Sequence, residues 1–458
     1  ERILFDVISA LCRFSIRNQK TDFSLFCQTK VCNFATAMEY KTHTLDNGLR
    51  VIHLPSRSQI VYCGYQIAAG TRNEQPGEEG LAHFVEHVTF KGTQRRNSLQ
   101  IINALESVGG ELNAYTNKED TTYYAALLKE HLPRAIDLLT DIVFHSTYPS
   151  AEIEKEKEVI VEEIESYNDS PAELIYDEFE NTIFNGHPLG HNILGSIENI
   201  RAFTSADAAR FAKRFYRPDN AVFFIYGDVE FNKLVRLLSK CDIPKEHQQE
   251  GPIVKQIPVS STGMREEERY EDDGKNAGWS VIDRKTHQAH VMLGTKGYGM
   301  HHPDRIALYL LNNILGGPSL NARLSLSLRE HHGLVYTVES TMATYTDTGI
   351  WSVYFGCDHS DIKKCLRLVR KELDKVQKKP ISSTQLKRAK QQIKGQLGIA
   401  CDNRESFALD LGKTFLHYNE EKDLQRLYER IDAVSAEQLQ HVAQELFDEK
   451  RLFTLIYK

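Results

Sequence analysis

Paired cysteines are missing from this chain of 458 residues: Cys12, Cys27, Cys32, Cys63, Cys241, Cys357, Cys365 and Cys401 are scattered with no Cys-x-x-Cys spacing. That pattern suits free thiols in a reducing compartment, and it leaves no thiolate zinc site to read. Long hydrophobic runs are missing too. The apolar stretch Ala221 to Gly227 reads as a buried strand, far short of the ~20 residues a membrane helix needs, so no membrane partner is expected. Basic charge is not in excess, with Lys+Arg 56 against Asp+Glu 63 and a net charge of -7; a chain-wide nucleic-acid surface is excluded. Proline and glycine, 13 and 27 residues, are too few for low-complexity sequence. No Gly-x-x-x-x-Gly-Lys pattern occurs, so a phosphate loop is not expected.

What is present is enough apolar sequence, 41% of residues, for a core in each of two domains or in one duplicated architecture. Glu1 to Ala37 reads as a poorly ordered extension or a targeting segment. The folded chain is expected to begin near Met38, ahead of Asn47-Gly48, a hairpin turn signal between two alternating stretches. Strand pairs and helical blocks then follow over 38–241, a polar linker over 242–276, and a second half over 277–458 that repeats the order of elements. The expected fold class is α+β, with two homologous halves, each an antiparallel-rich sheet packed with helices.

One helix-compatible segment, GLAHFVEHVTF, contains His83, Glu86 and His87. At about 100° per residue the two histidines leave one helix face a turn apart, with Glu86 about 60° to the side. Two neutral imidazoles at this spacing suit one Zn²⁺, and a carboxylate next to them, not needed as a ligand, can take a proton from water. The spacing His-x-x-Glu-His is the inverzincin signature. Further along, EIEKEKEVIVEEIES forms an amphipathic helix whose many glutamates also suit a solvated acidic face; spacing alone does not choose Glu163 over Glu162 as a third ligand.

HFVEHVTFKGT, followed by VIVEEIE, GGELNAYTNKED and SLREHHGLVYT, resembles the pitrilysin family of zinc metallopeptidases, most closely its short bacterial members, from Met38 to Lys458. The resemblance implies one Zn²⁺ per chain held by His83, His87 and Glu163, with Glu86 as general base. Glu156 would be the carboxylate that supports a ligand. It further implies substrate contacts at Asn113 and Ala114 on a strand edge that an extended peptide can join. Arg329 and Tyr336 would be a pair that binds the substrate main chain or helps stabilise the oxyanion.

The expected activity is zinc endopeptidase, acting on flexible peptides; a noncatalytic partner subunit is the alternative. A homodimer is expected, because longer relatives join two such units in one chain. The expected location is cytoplasmic, or the mitochondrial matrix if Glu1 to Ala37 is a presequence. His187 and His191, split by Pro188 and Gly190, and the adjacent pairs His301-His302 and His331-His332 are not assigned to metal.

Overall fold

The computed structural model describes residues 39–244 and 278–458. The expected extension over 1–37, the start at Met38 and nearly all of the expected linker lie outside them. Two compact units are present, and the division falls inside three helices, between Glu162 and Glu163, between Leu397 and Gly398, and between Arg426 and Leu427. The first comprises residues 39–162, 193–244 and 398–426, the second residues 163–192, 278–397 and 427–458.

The strands of the first unit are β1 (Lys41–Thr44), β2 (Arg50–Pro55), β3 (Ile60–Ile67), β4 (Glu111–Thr116), β5 (Thr121–Leu128) and β6 (Ala221–Gly227). β1 and β2 form the hairpin marked by Asn47-Gly48, and Gly48 has φ +87°, a conformation nearly reserved for residues without a Cβ. The spatial order is β1-β2-β6-β3-β5-β4; β2 and β6 are parallel and the other neighbours antiparallel. The second unit holds β7 (Gly278–Ile282), β8 (Ala289–Gly297), β9 (Val335–Thr344), β10 (Gly349–Cys357) and β11 (Phe453–Tyr457), in the order β7-β11-β8-β10-β9. Here β7 and β11 are the parallel pair. Setting β1 aside, both sheets run first, last, second, fourth, third, with the parallel pair in the same place. This shared winding is the structural form of the duplication that the order of elements implied.

Before the described gap the helices are α1 (Leu81–Thr89), α2 (Ser98–Glu106), α3 (Leu132–His145), α4 (Ser150–Asn168), α5 (Pro171–Ile183), α6 (Ile197–Ala202), α7 (Ser205–Phe215) and α8 (Phe231–Leu238). After it come α9 (Arg305–Gly316), α10 (Ile362–Lys378), α11 (Ser383–Ala400), α12 (Arg404–Tyr418), α13 (Leu424–Ala433) and α14 (Ala436–Leu446). Among the described residues no helix is long and apolar enough to cross a membrane.

Packing does not follow chain order everywhere. α5 lies in the second unit, where Leu174, Ile175 and Phe179 share a core with Met292, Ile350 and Tyr457. Its polar side is tied to that unit's sheet by hydrogen bonds from Tyr176 to Glu339 and from Tyr345 and Tyr457 to Glu180 and Glu178. α12, late in the chain, lies in the first unit and packs Leu411 and Phe415 against Ile52, Val222 and Phe224. Gly412 permits this approach, since a Cβ there would come within 2.7 Å of the Phe224 ring. His417 of α12 donates to buried Asp120 at 3.1 Å, anchoring the helix to the turn between β4 and β5. Burial alone would raise the Asp120 carboxyl, but Lys413 and His417 outweigh it and hold the group well below the usual carboxylate range.

Candidate metal centre

α1 forms because LAHFVEHVT places Leu81, Phe84, Val85 and Val88 in one buried apolar stripe, with 3.6-residue periodicity. Its start is fixed by Gly80, at φ +95°, packed so closely on Gly195 that a Cβ would come within 2.8 Å of the Gly195 Cα. The Glu74 carboxylate accepts from the backbone N–H groups of Gly80 and Ala82 at 3.0 and 2.7 Å, satisfying donors that the helix itself cannot. His83, Glu86 and His87 then project from the side of α1 away from the apolar stripe. His83 and Glu86 are buried, and the rings of His83 and His87 lie 4.6 Å apart, centroid to centroid.

α4 supplies the carboxylates. Ile153, Ile160, Val161 and Ile164 are its buried face, whereas Glu154, Glu158, Glu162 and Glu165 are exposed, so part of the acidic run is the solvated face the sequence allowed. Glu156 is the exception, buried at 8% exposure. Its Oε1 lies 3.0 Å from His87 Nδ1 and its Oε2 2.5 Å from Lys91 Nζ. Burial would raise the Glu156 carboxyl, but these two partners hold it below its ordinary range. An imidazole whose Nδ1 is engaged by a carboxylate uses Nε2 as its ligand atom.

Two turns beyond Glu156 on the same unbroken helix stands Glu163. One ligand atom each from His83, His87 and Glu163 lies within 4.8 Å of the others, the one such group of three among the described residues. Of the two adjacent glutamates that spacing left open, Glu163 is therefore the one gathered with the imidazoles. Two nitrogens and a carboxylate oxygen are the donor set of a three-ligand catalytic zinc site with one open position. The residues present fit that ion in their donor types and number.

Glu86 is not in that group. It accepts a hydrogen bond from Thr116 Oγ1 at 2.6 Å, between two buried side chains. Thr116 ends β4, the outermost strand of its sheet, so one edge of β4 has no strand beside it among the described residues. Asn113 and Ala114 lie on this strand, paired with Tyr124 and Tyr123 of β5, with Asn113 exposed.

Arg329 and Tyr336 lie in the second unit and are brought together there. The segment leading to them is π-helical over Ser325–Glu330, and the Arg329 guanidinium carbon stands 5.7 Å from the Tyr336 ring centroid, within cation–π range. Tyr336 is 79% exposed, an unusual position for an aromatic side chain. His187 Nε2 sits 3.5 Å from Asp347 and its Nδ1 accepts from the Leu189 N–H, a loop-fastening arrangement. Sequence reasoning missed Lys91 and Thr116. Their available signals were helical spacing from His87 for the first, and for the second a place two residues after Ala114 on the same strand face.

The sequence matches two family models: Insulinase (Peptidase family M16) over residues 50–196, and Peptidase M16 inactive domain over residues 202–393. It is 31% identical over 421 residues to an uncharacterized zinc protease of Bacillus subtilis, spanning 91% of this chain and 98% of that protein. It is 32% identical over 412 residues to the mitochondrial-processing peptidase subunit beta of Bos taurus, covering 88% of this chain and 81% of that one. A crystal structure of a protease from Helicobacter pylori superposes with a TM-score of 0.81 at 24% identity, over 92% of this chain and 99% of that one. At that identity the likeness speaks for the fold.

Proposed function

Since the chain belongs to the insulinase family, peptidase family M16, and relatives named as zinc proteases match about nine-tenths of it, we propose that it is a zinc-dependent endopeptidase acting on flexible peptides. The observation that carries the proposal is the gathering of His83, His87 and Glu163 within 4.8 Å beside a buried carboxylate, Glu86, that is not one of the donors. A bound Zn²⁺, one per chain, would supply Lewis acidity, polarising the scissile carbonyl and making water acidic enough to yield a proton near neutral pH.

The Glu86 carboxylate takes that proton as the water oxygen attacks and delivers it to the departing nitrogen, serving first as general base and then as general acid. Glu156 holds His87 in the orientation and tautomer a ligand needs, and Lys91 holds Glu156. Asn113 and Ala114 offer main-chain hydrogen bonds along the open edge of β4, which an extended peptide can use and a folded one cannot. Arg329 and Tyr336 would bind the substrate main chain or the developing oxyanion. The free cysteines among the described residues, including buried Cys63, Cys357 and Cys365, support a reducing location such as the cytoplasm.

The test is hydrolysis of a quenched fluorescent peptide by the purified full chain. Turnover should disappear on zinc chelation, with 1,10-phenanthroline, and return with stoichiometric Zn²⁺. Turnover indifferent to the chelator would overturn the proposal.

The same reading extends to assembly. A symmetric homodimer would let each protomer's Arg329 and Tyr336 serve its partner's metal centre, giving two equivalent sites. Mixing two inactive variants, Glu86→Gln and Arg329→Ala, should then restore part of the activity, because a mixed dimer has one site with neither substitution. No recovery despite measured subunit exchange would show that each chain completes its own site.

A further inference from the structure

We propose that Thr116 is a positioning residue for Glu86, and that β4 thereby couples the peptide-binding edge to the general base; this rests on the reading of Glu86 given above. The Thr116 hydroxyl donates to Glu86 Oε2 at 2.6 Å, and the two residues are 9% and 8% exposed. A hydroxyl bonded to a carboxylate is among the stronger hydrogen bonds, and here little water competes for either atom.

The consequence is rotational. The last torsion of a glutamate is broad and nearly two-fold, so an unrestrained carboxylate samples many planes. Committing Oε2 to Thr116 selects one. The restraint is itself rigid, because a β-branched threonine on a strand has few χ1 choices. Its strand is tied by Thr116 to Thr121 and by Ala114 to Tyr123 of β5, and Tyr123 is fully buried. Side chains alternate along a strand, so Ala114 and Thr116 share one face of β4. The strand expected to receive substrate therefore also sets the orientation of the base, and a peptide added to its edge docks onto the element that aims Glu86.

Proton transfer depends steeply on the orientation of the accepting group, and a misplacement on the order of 1 Å can cost about a hundredfold in rate. The experiment compares zinc-loaded wild-type chain with Thr116→Val, which keeps the shape and β-branching but removes the donor, and with Thr116→Ser, which restores it. With a quenched fluorescent peptide, Thr116→Val should lower kcat by about tenfold to a hundredfold with KM and zinc content unchanged. Thr116→Ser should recover most of the loss. Independently of activity, the crystal structure of Thr116→Val should show the Glu86 carboxylate rotated from its wild-type plane. Unchanged kcat in Thr116→Val, equal impairment in Thr116→Ser, or an unmoved Glu86 would overturn the inference while leaving the peptidase reading intact. A wild-type chain without chelator-sensitive turnover would instead overturn the reading of Glu86 and this inference with it.

Discussion

Replacing Glu86 by glutamine is expected to lower kcat by about 10²–10⁴-fold, the usual contribution of a general base, while leaving zinc content and melting temperature near their wild-type values. The amide is isosteric with the carboxylate and keeps an oxygen that can accept from Thr116 Oγ1, now 2.6 Å from Glu86 Oε2. The buried pocket therefore retains its shape and its hydrogen bond. What it loses is the ability to hold a proton. His83, His87 and Glu163, whose ligand atoms cluster within 4.8 Å, are untouched, so metal analysis of the variant should match wild type. Assay of kcat beside metal content separates chemistry from binding of the ion. A variant that turns over peptide at the wild-type rate would remove Glu86 from the role and require another proton acceptor.

How much of this was legible beforehand varies with the kind of signal. α1 and α4 were readable because each pairs a 3.6-residue apolar stripe with polar residues elsewhere, and His83 and His87 were readable as a pair because four residues is one turn. The duplication appeared as a repeated order of elements, and the structure gives it a firmer form, two sheets wound in the same order with the same parallel pair. Partner choice was not legible. The apolar face of α12 is a pattern that any sheet could cover; only the tertiary fit of Gly412 against Phe224 and of His417 on Asp120 shows that it packs on the first sheet. Nor does periodicity record which of two adjacent glutamates turns toward a neighbouring helix, because Glu162 and Glu163 are both exposed on α4. Thr116 is the extreme case. Its residue type is ordinary for a strand, and its role depends on a contact with a helix 30 residues earlier.

Glu163→Gln is expected to fail differently from Glu86→Gln, and the contrast tests both assignments. A neutral amide is a poorer ligand for a divalent ion than a carboxylate and contributes no charge. Removing a residue that merely supports a ligand, as Glu156 supports His87, typically weakens metal affinity by about 10–100-fold; removing a ligand should exceed that. In chelator competition, Glu163→Gln should therefore lose zinc most readily, Glu156→Gln less readily and wild type least. Activity should follow occupancy. Excess Zn²⁺ should restore part of the turnover of Glu156→Gln, which keeps all three donors, and none of the turnover of Glu86→Gln, which never lost the ion. Because Glu163 is exposed on α4, its substitution should leave the apo protein's stability close to wild type, so that metal loss cannot be ascribed to unfolding. Full zinc occupancy of Glu163→Gln after chelation would take it out of the ligand set and return Glu162 to consideration, one position along the same helix.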